Sequence, residues 1–183
     1  MTEMPGSSVF AGAMPLVAAA AAQPGAGPLP IGCVVAVAGG GSRVLFDRNA
    51  LELAAQDGDP VVATAGQVGG QIKMRVGGAW LIANVRSLVL DGAASDWVAA
   101  DIDFLGEGDE ERLTGRLYHF RRGVTRYPIP GCDVFAITTR DLEQIYSAAD
   151  QPHIKVGTVY PTRDVQASLY VDAMLGKHFA LVG

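Results

Sequence analysis

The densest group of residues suited to chemistry is Arg112, Arg116, Arg121, Arg122 and Arg126, interleaved with Tyr118, His119, Phe120 and Tyr127, with no acid among them. Guanidinium forks grip phosphates and aromatic rings stack on bases, so the Arg112–Tyr127 segment could hold nucleic acid. The same composition suits a protein interface, or a solvated strand whose aromatics pack inward. All three readings stay open on residue type alone. The partner or nucleic-acid contacts expected within it are Arg121, Arg122, Arg126 and Tyr127.

Acid–base and metal chemistry find less support. Asp101 and Asp103 stand two apart, on one face of a strand, where paired carboxylates could act as general acid and base. Nothing near them supplies a partner base or a further ligand, so a solvent face is expected. His119, His153 and His178 are scattered, without metal-ligand spacing, and no Gly-x-Ser-x-Gly elbow occurs. The loop Asp57-Gly58-Asp59-Pro60 is acidic but lacks the spaced ligands of a calcium loop. No catalytic residue and no metal site are expected in this chain.

Nucleotide chemistry is suggested only at the end. Phe179 to Val182 is an uncharged apolar run, as in a buried strand of a parallel sheet, and it delivers Gly183. A phosphate-binding loop of the form Gly-x-x-x-x-Gly-Lys-Ser/Thr begins in this way, which makes Gly183 a candidate first glycine of an incomplete motif. The pair Gly176-Lys177 precedes that strand instead of following it, and His178 stands where a magnesium-binding hydroxyl is needed, so it is rejected. Gly39-Gly40-Gly41-Ser42 is followed by a strand and reads as a hairpin turn.

These residues must be positioned by short strands. The chain has 183 residues, with 23 glycines and 10 prolines spaced among β-branched runs. Strands are expected from Ile31 to Val37, Arg43 to Phe46, Gln71 to Val76, Ala79 to Val89, Val98 to Phe104, Val134 to Thr138 and His153 to Tyr160. A further alternating run, Val165 to Val171, leads into the final segment. Ile72, Met74 and Val76 alternate with Gln71, Lys73 and Arg75, placing the polar set toward water. Gly106 to Glu111 reads as an acidic loop. Leu51 to Ala55 is a helical turn, and Thr138 with Asp141 forms a capping-box-like start to a short helix.

The result is an all-β fold: about seven or eight short strands in a small, largely antiparallel closed barrel, with one or two short helices. Residues 1–29 read as a flexible Ala/Gly/Pro-rich leader and residues 30–171 as the barrel. Residues 172–183 read as a linker and the first strand of a P-loop ATPase domain, which family resemblance implies is an α/β RecA-like one. The run from Met14 to Ala22 has no basic residue before it, against a secretory signal, and is too short to span a bilayer. Cys33 and Cys132 lack a CxxC partner and read as buried thiols in a reducing, cytoplasmic compartment. A formal net charge of −5 argues against non-specific nucleic-acid binding by the whole surface.

Several segments in order carry a resemblance. They are Ile31-Gly-Cys-Val-Val-Ala-Val37, Phe104-Leu-Gly-Glu107, Arg121-Arg-Gly-Val-Thr-Arg-Tyr-Pro-Ile-Pro-Gly131, Ile154-Lys-Val-Gly-Thr-Val-Tyr160 and Val171-Asp-Ala-Met-Leu-Gly-Lys-His-Phe-Ala-Leu-Val-Gly183. Together they resemble the N-terminal HAS-barrel of HerA-type hexameric ATPases, over residues 30–183. Cys132 departs from the pattern, where an acidic residue is expected after the turn glycine. The resemblance implies a parent protein that forms a hexameric ring and uses ATP and Mg2+ to move on double-stranded DNA. It also implies work with a nuclease or effector subunit, in DNA end processing or phage defence, with the barrel as assembly and docking module. The competing expectation is a stand-alone β-barrel that binds nucleic acid through the Arg112–Tyr127 segment.

Overall fold

The computed structural model describes residues 28–38, 41–90, 96–146 and 152–175. Along the chain run β1 (Gly32–Ala38), β2 (Gly41–Asp47), α1 (Arg48–Ala54), α2 (Pro60–Ala63), β3 (Gln71–Val76), β4 (Ala79–Leu90) and β5 (Trp97–Glu110). They are followed by β6 (Leu117–Arg122), β7 (Asp133–Ala136), α3 (Thr139–Tyr146), β8 (His153–Thr158), β9 (Gln166–Tyr170) and α4 (Val171–Leu175). Most of the leader, the Gly39–Gly40 turn, and the terminal stretch with Gly176, Lys177, His178, Phe179 to Val182 and Gly183 lie outside the described residues.

The expected all-β barrel is present. Strands pair antiparallel in the order β2-β1-β7-β3-β4-β5, and a further β2–β5 pairing closes the ring at six strands. β5 makes this closure by dividing its length. Residues from Trp97 to Ile102 pair with β2, while those from Gly106 to Glu110 pair with β6, which stands outside the ring. The two long strands bend at register shifts between Ile82 and Ala83 and between Val85 and Ser87, as a small barrel wall requires. β8 and β9 pair only with each other, as a separate two-stranded ribbon.

Two apolar clusters follow from this arrangement. Inside the barrel, Val34, Val44, Phe46, Ile72, Met74, Leu81, Val85, Ile102 and Val134 pack together, from every strand of the ring. A second cluster lies on the outer wall, where Trp80, Ile82 and Leu117 meet Val61 of α2, Leu142 of α3 and Val165 at the foot of the ribbon. Trp80 lies edge-on to Phe135, with ring centroids 5.7 Å apart.

The second cluster corrects one expectation. Lys73 was placed on a solvent face by alternation, but it is buried, because α3 covers the outer side of β3. Its Nζ lies 2.8 Å from Asp141 Oδ2, at the start of that helix. Asp141 Oδ2 also accepts from Thr138 N at 2.8 Å, and Thr138 Oγ1 accepts from Asp141 N at 3.3 Å, so the capping box is formed as its spacing predicts. The Asp57–Pro60 stretch is likewise more than a loop. Pro60 opens α2, and Asp59 caps it through Val61 N while also accepting from Thr139 N and Oγ1. Burial raises the pKa of Asp59, but these hydrogen bonds outweigh it and hold the carboxyl below its ordinary value.

Candidate functional site

The expected acidic loop at Gly106 to Glu111 is instead the second half of β5. Its glycines let β6 lie close rather than making a turn. A Cβ at Gly106 would sit 2.2 Å from the Arg121 carbonyl oxygen, and one at Gly108 would sit 2.5 Å from Leu117 Cδ1. Between these glycines stands Glu107, fully buried and directly opposite Arg121 across the β5–β6 ladder.

Glu107 organises the arginine-rich segment. Its Oε1 accepts from Arg121 Nε at 3.1 Å and from Thr125 Oγ1 at 2.8 Å, and its Oε2 accepts from Thr125 N at 3.0 Å. The hydrogen bonds from Arg121, then those from the Thr125 backbone and hydroxyl, hold its carboxyl down to a pKa of about 2. A carboxylate so firmly ionised is a poor proton acceptor near neutrality, so this centre does structural work. The bonds seat the chain leaving β6, which reverses at Gly123 (φ 84°) and runs against the interior cluster through Val124 and Cys132. Gly131 N then donates to Val34 O at 2.7 Å, and β7 begins.

The sequence-expected contacts therefore divide. Arg121 spends its charge on Glu107. Arg126 Nη1 donates to the Gly77 carbonyl at 3.3 Å, beside the β3–β4 turn. The Tyr127 ring meets Phe104 edge-on at 5.6 Å, anchoring the segment to β5 while half its surface stays exposed. Arg122 is exposed on β6, opposite Gly106, as are Arg112 and Arg116 in the preceding turn. Arg75, beside this group, pairs with Glu110 and lies over the Trp80 ring at 4.9 Å. Of these guanidiniums, those of Arg121 and Arg75 are thus paired with carboxylates, while Arg112, Arg116 and Arg122 are exposed.

Asp101 and Asp103 occupy the expected solvent face. Asp101 accepts from Arg43 Nε and Ser87 Oγ, both at 2.9 Å, and those hydrogen bonds lower its pKa. Asp103 accepts from Arg86 Nη1 at 3.3 Å. Among the described residues no group of three or more His, Cys, Asp or Glu is placed to hold a metal ion. Cys33 is buried and Cys132 half-buried, and both are free. Burial, with Asp133 adding to it, pushes both thiols up, away from a reactive thiolate.

Sequence reasoning missed Glu107. The signal available was a carboxylate flanked by glycines, fourteen positions before an arginine, a pattern equally typical of a polar turn. What the fold defines is a closed six-stranded antiparallel barrel carrying an outer strand and a separate ribbon. No protein-family model matches the chain, and no curated protein matches it. Among the described residues, no helix is long and apolar enough to cross a membrane.

Proposed function

We propose that this chain is the assembly and partner-docking barrel of a HerA-like, ATP-driven translocase of double-stranded DNA. In this reading copies of the parent protein form a hexameric ring, and a nuclease or effector subunit docks on the barrels. ATP and Mg2+ would be held by a motor segment beginning at Gly183, and the barrel itself does no bond chemistry.

The observation that carries the docking role is the β8–β9 ribbon. Ile154 faces Leu169 across the ladder, and with Val156 these side chains are about half exposed. Two strands alone are marginally stable in water and need a covered apolar face. Val159 and Val165 secure the foot of the ribbon against the outer-wall cluster, while its far part offers apolar surface to another protein. In the arginine-rich segment Arg121 is already paired with Glu107, and Arg75 beside it with Glu110, which suits a protein rim better than a phosphate track.

The sequence that follows Gly183 in the encoded polypeptide tests the parent activity. Completion of Gly-x-x-x-x-Gly-Lys-Ser/Thr there supports the reading. Any other continuation, or a stop codon, overturns it.

A further inference from the structure

Between β6 and β7 the chain lies against the barrel without joining its ladders. Among the described residues, the only backbone–backbone hydrogen bond made by residues 124–130 is a turn at their own end, where Cys132 N donates to Ile129 O at 3.1 Å. Pro128 and Pro130 have no N–H to give. On either side the backbone is fixed, since Gly123 N donates to Leu105 O at 3.1 Å and Gly131 N to Val34 O at 2.7 Å. Both glycines hold left-handed backbone, at φ 84° and 92°, which a larger residue adopts only with strain. Among the described residues, one side chain ties the main chain between them to the barrel wall. Glu107 accepts from Thr125 N at 3.0 Å and from Thr125 Oγ1 at 2.8 Å. The remaining ties are made by side chains of the stretch itself. Arg126 reaches the Gly77 carbonyl, Tyr127 meets Phe104, Val124 packs on the interior cluster and Pro128 is buried. The outer side is open, with Arg126 and Tyr127 exposed and Ile129 75% exposed.

We infer that residues 124–130 are a strap that opens as a unit of its own, pivoting at Gly123 and Gly131 and released at Glu107, while the ring and β6 stay paired. A segment without ladder bonds, with one face in water, lies at the low end of local stability. Its two ends are positions that absorb large changes of φ and ψ. Opening breaks the two Thr125 bonds, the Arg126 contact and the packing of Val124, Tyr127 and Pro128, and no strand pairing. It bares Phe104, which the Tyr127 ring covers, and the part of the interior cluster beneath Val124. Glu107 stays with Arg121, its partner across the ladder, so its carboxylate is not left without a counterion when the strap lifts. The device is independent of the translocase reading and of whatever follows Gly183.

The test is hydrogen exchange of the whole chain in a series of urea concentrations too low to unfold it. The Thr125 amide is the reporter, read against Val34 and Gly131 of the ring closure and against the ladder amides of β6. Thr125 should be protected, yet exchange faster than all of these and with a shallow dependence on urea, as an opening that exposes little surface requires. Val34 and Gly131 should follow the steep dependence of global unfolding. Glu107→Gln should lower the protection of Thr125 about tenfold and leave its urea dependence shallow. The wild-type series decides by itself if that variant does not fold. Exchange of Thr125 at the rate and urea slope of Val34 would mean that only global unfolding frees the strap, and overturns the proposal. Exchange in step with the β6 amides would remove the pivot at Gly123 and overturn it too. An unprotected Thr125 amide, or one indifferent to Glu107→Gln, would show that Glu107 does not hold the strap, with the same consequence.

Discussion

Lys73 and Asp141 join the barrel wall to the helix that covers it, with Nζ 2.8 Å from Oδ2 and both side chains almost completely withdrawn from water. The lysine also lies over the Trp80 ring, 4.7 Å from its centroid, so one ammonium ties β3, β4 and α3 together. Removing either partner leaves a buried charge without its counterion. Lys73→Ala should destabilise the fold by about 3–5 kcal/mol. Asp141→Ala should cost about 1 kcal/mol more, since it also deletes the cap on α3. Urea unfolding midpoints of the two variants check the order, and equal or reversed values would contradict it.

Glu107 gives the fold a defined response to acid. Its folded pKa of about 2 lies below its ordinary value of 4.5, so the unfolded chain takes up the proton first. The stability it contributes is complete above about pH 4.5 and is lost as pH falls toward 2. Glu107→Gln should therefore be less stable than the parent protein near neutrality, with the two stability curves converging near pH 2. Unfolding free energies measured across that range would show parallel curves if the carboxylate were not responsible.

Gly106 sets how closely β6 can lie on β5. Gly106→Ala places a methyl group against the Arg121 backbone carbonyl, which cannot swing aside as a side chain would. A loss of about 1–3 kcal/mol is expected from the overpacking. Hydrogen exchange should accelerate in β6 and in residues 123–127, while the ring strands β1 and β2 keep their protection. Uniform acceleration throughout the barrel would show that β6 is not a separable attachment.

The surface arginines can be weighed against nucleic acid directly. With Arg121 committed to Glu107 and Arg75 to Glu110, no saturable binding of this chain to duplex DNA is expected at low salt. Arg122→Ala should change nothing in that assay. Binding that weakens steeply with salt, with a slope reduced by about one in Arg122→Ala, would favour a nucleic-acid module instead.

How far the sequence alone could reach depended on whether the governing contact was local. Thr138 and Asp141 are three positions apart, and the cap their spacing announces is the one formed. The hairpin of β1 and β2 was readable from its turn glycines, and the long β4 from its apolar run. Lys73 was misplaced because period-two alternation assumes one wet face, while the helix that dries this face arrives 68 positions later. Glu107 was misplaced for a related reason. The glycines beside it look like turn formers until the partner strand they admit is known.

The ring closes through strands far apart in the chain. β1 is held on one side by β7, where Cys33 pairs with Asp133, a hundred positions away. β2 is held by β5, where Val44 pairs with Ala100, 56 positions away. Pairings of such long range make folding slow, because loop entropy is surrendered before any contact compensates it. β5 precedes β7 in the chain and can join β2 before it, so the open edge of β1 waits for β7 to supply the last stave. Over that interval the edge of β1 is open to strands from other chains, so the yield of correctly folded protein should fall as the concentration of folding copies rises.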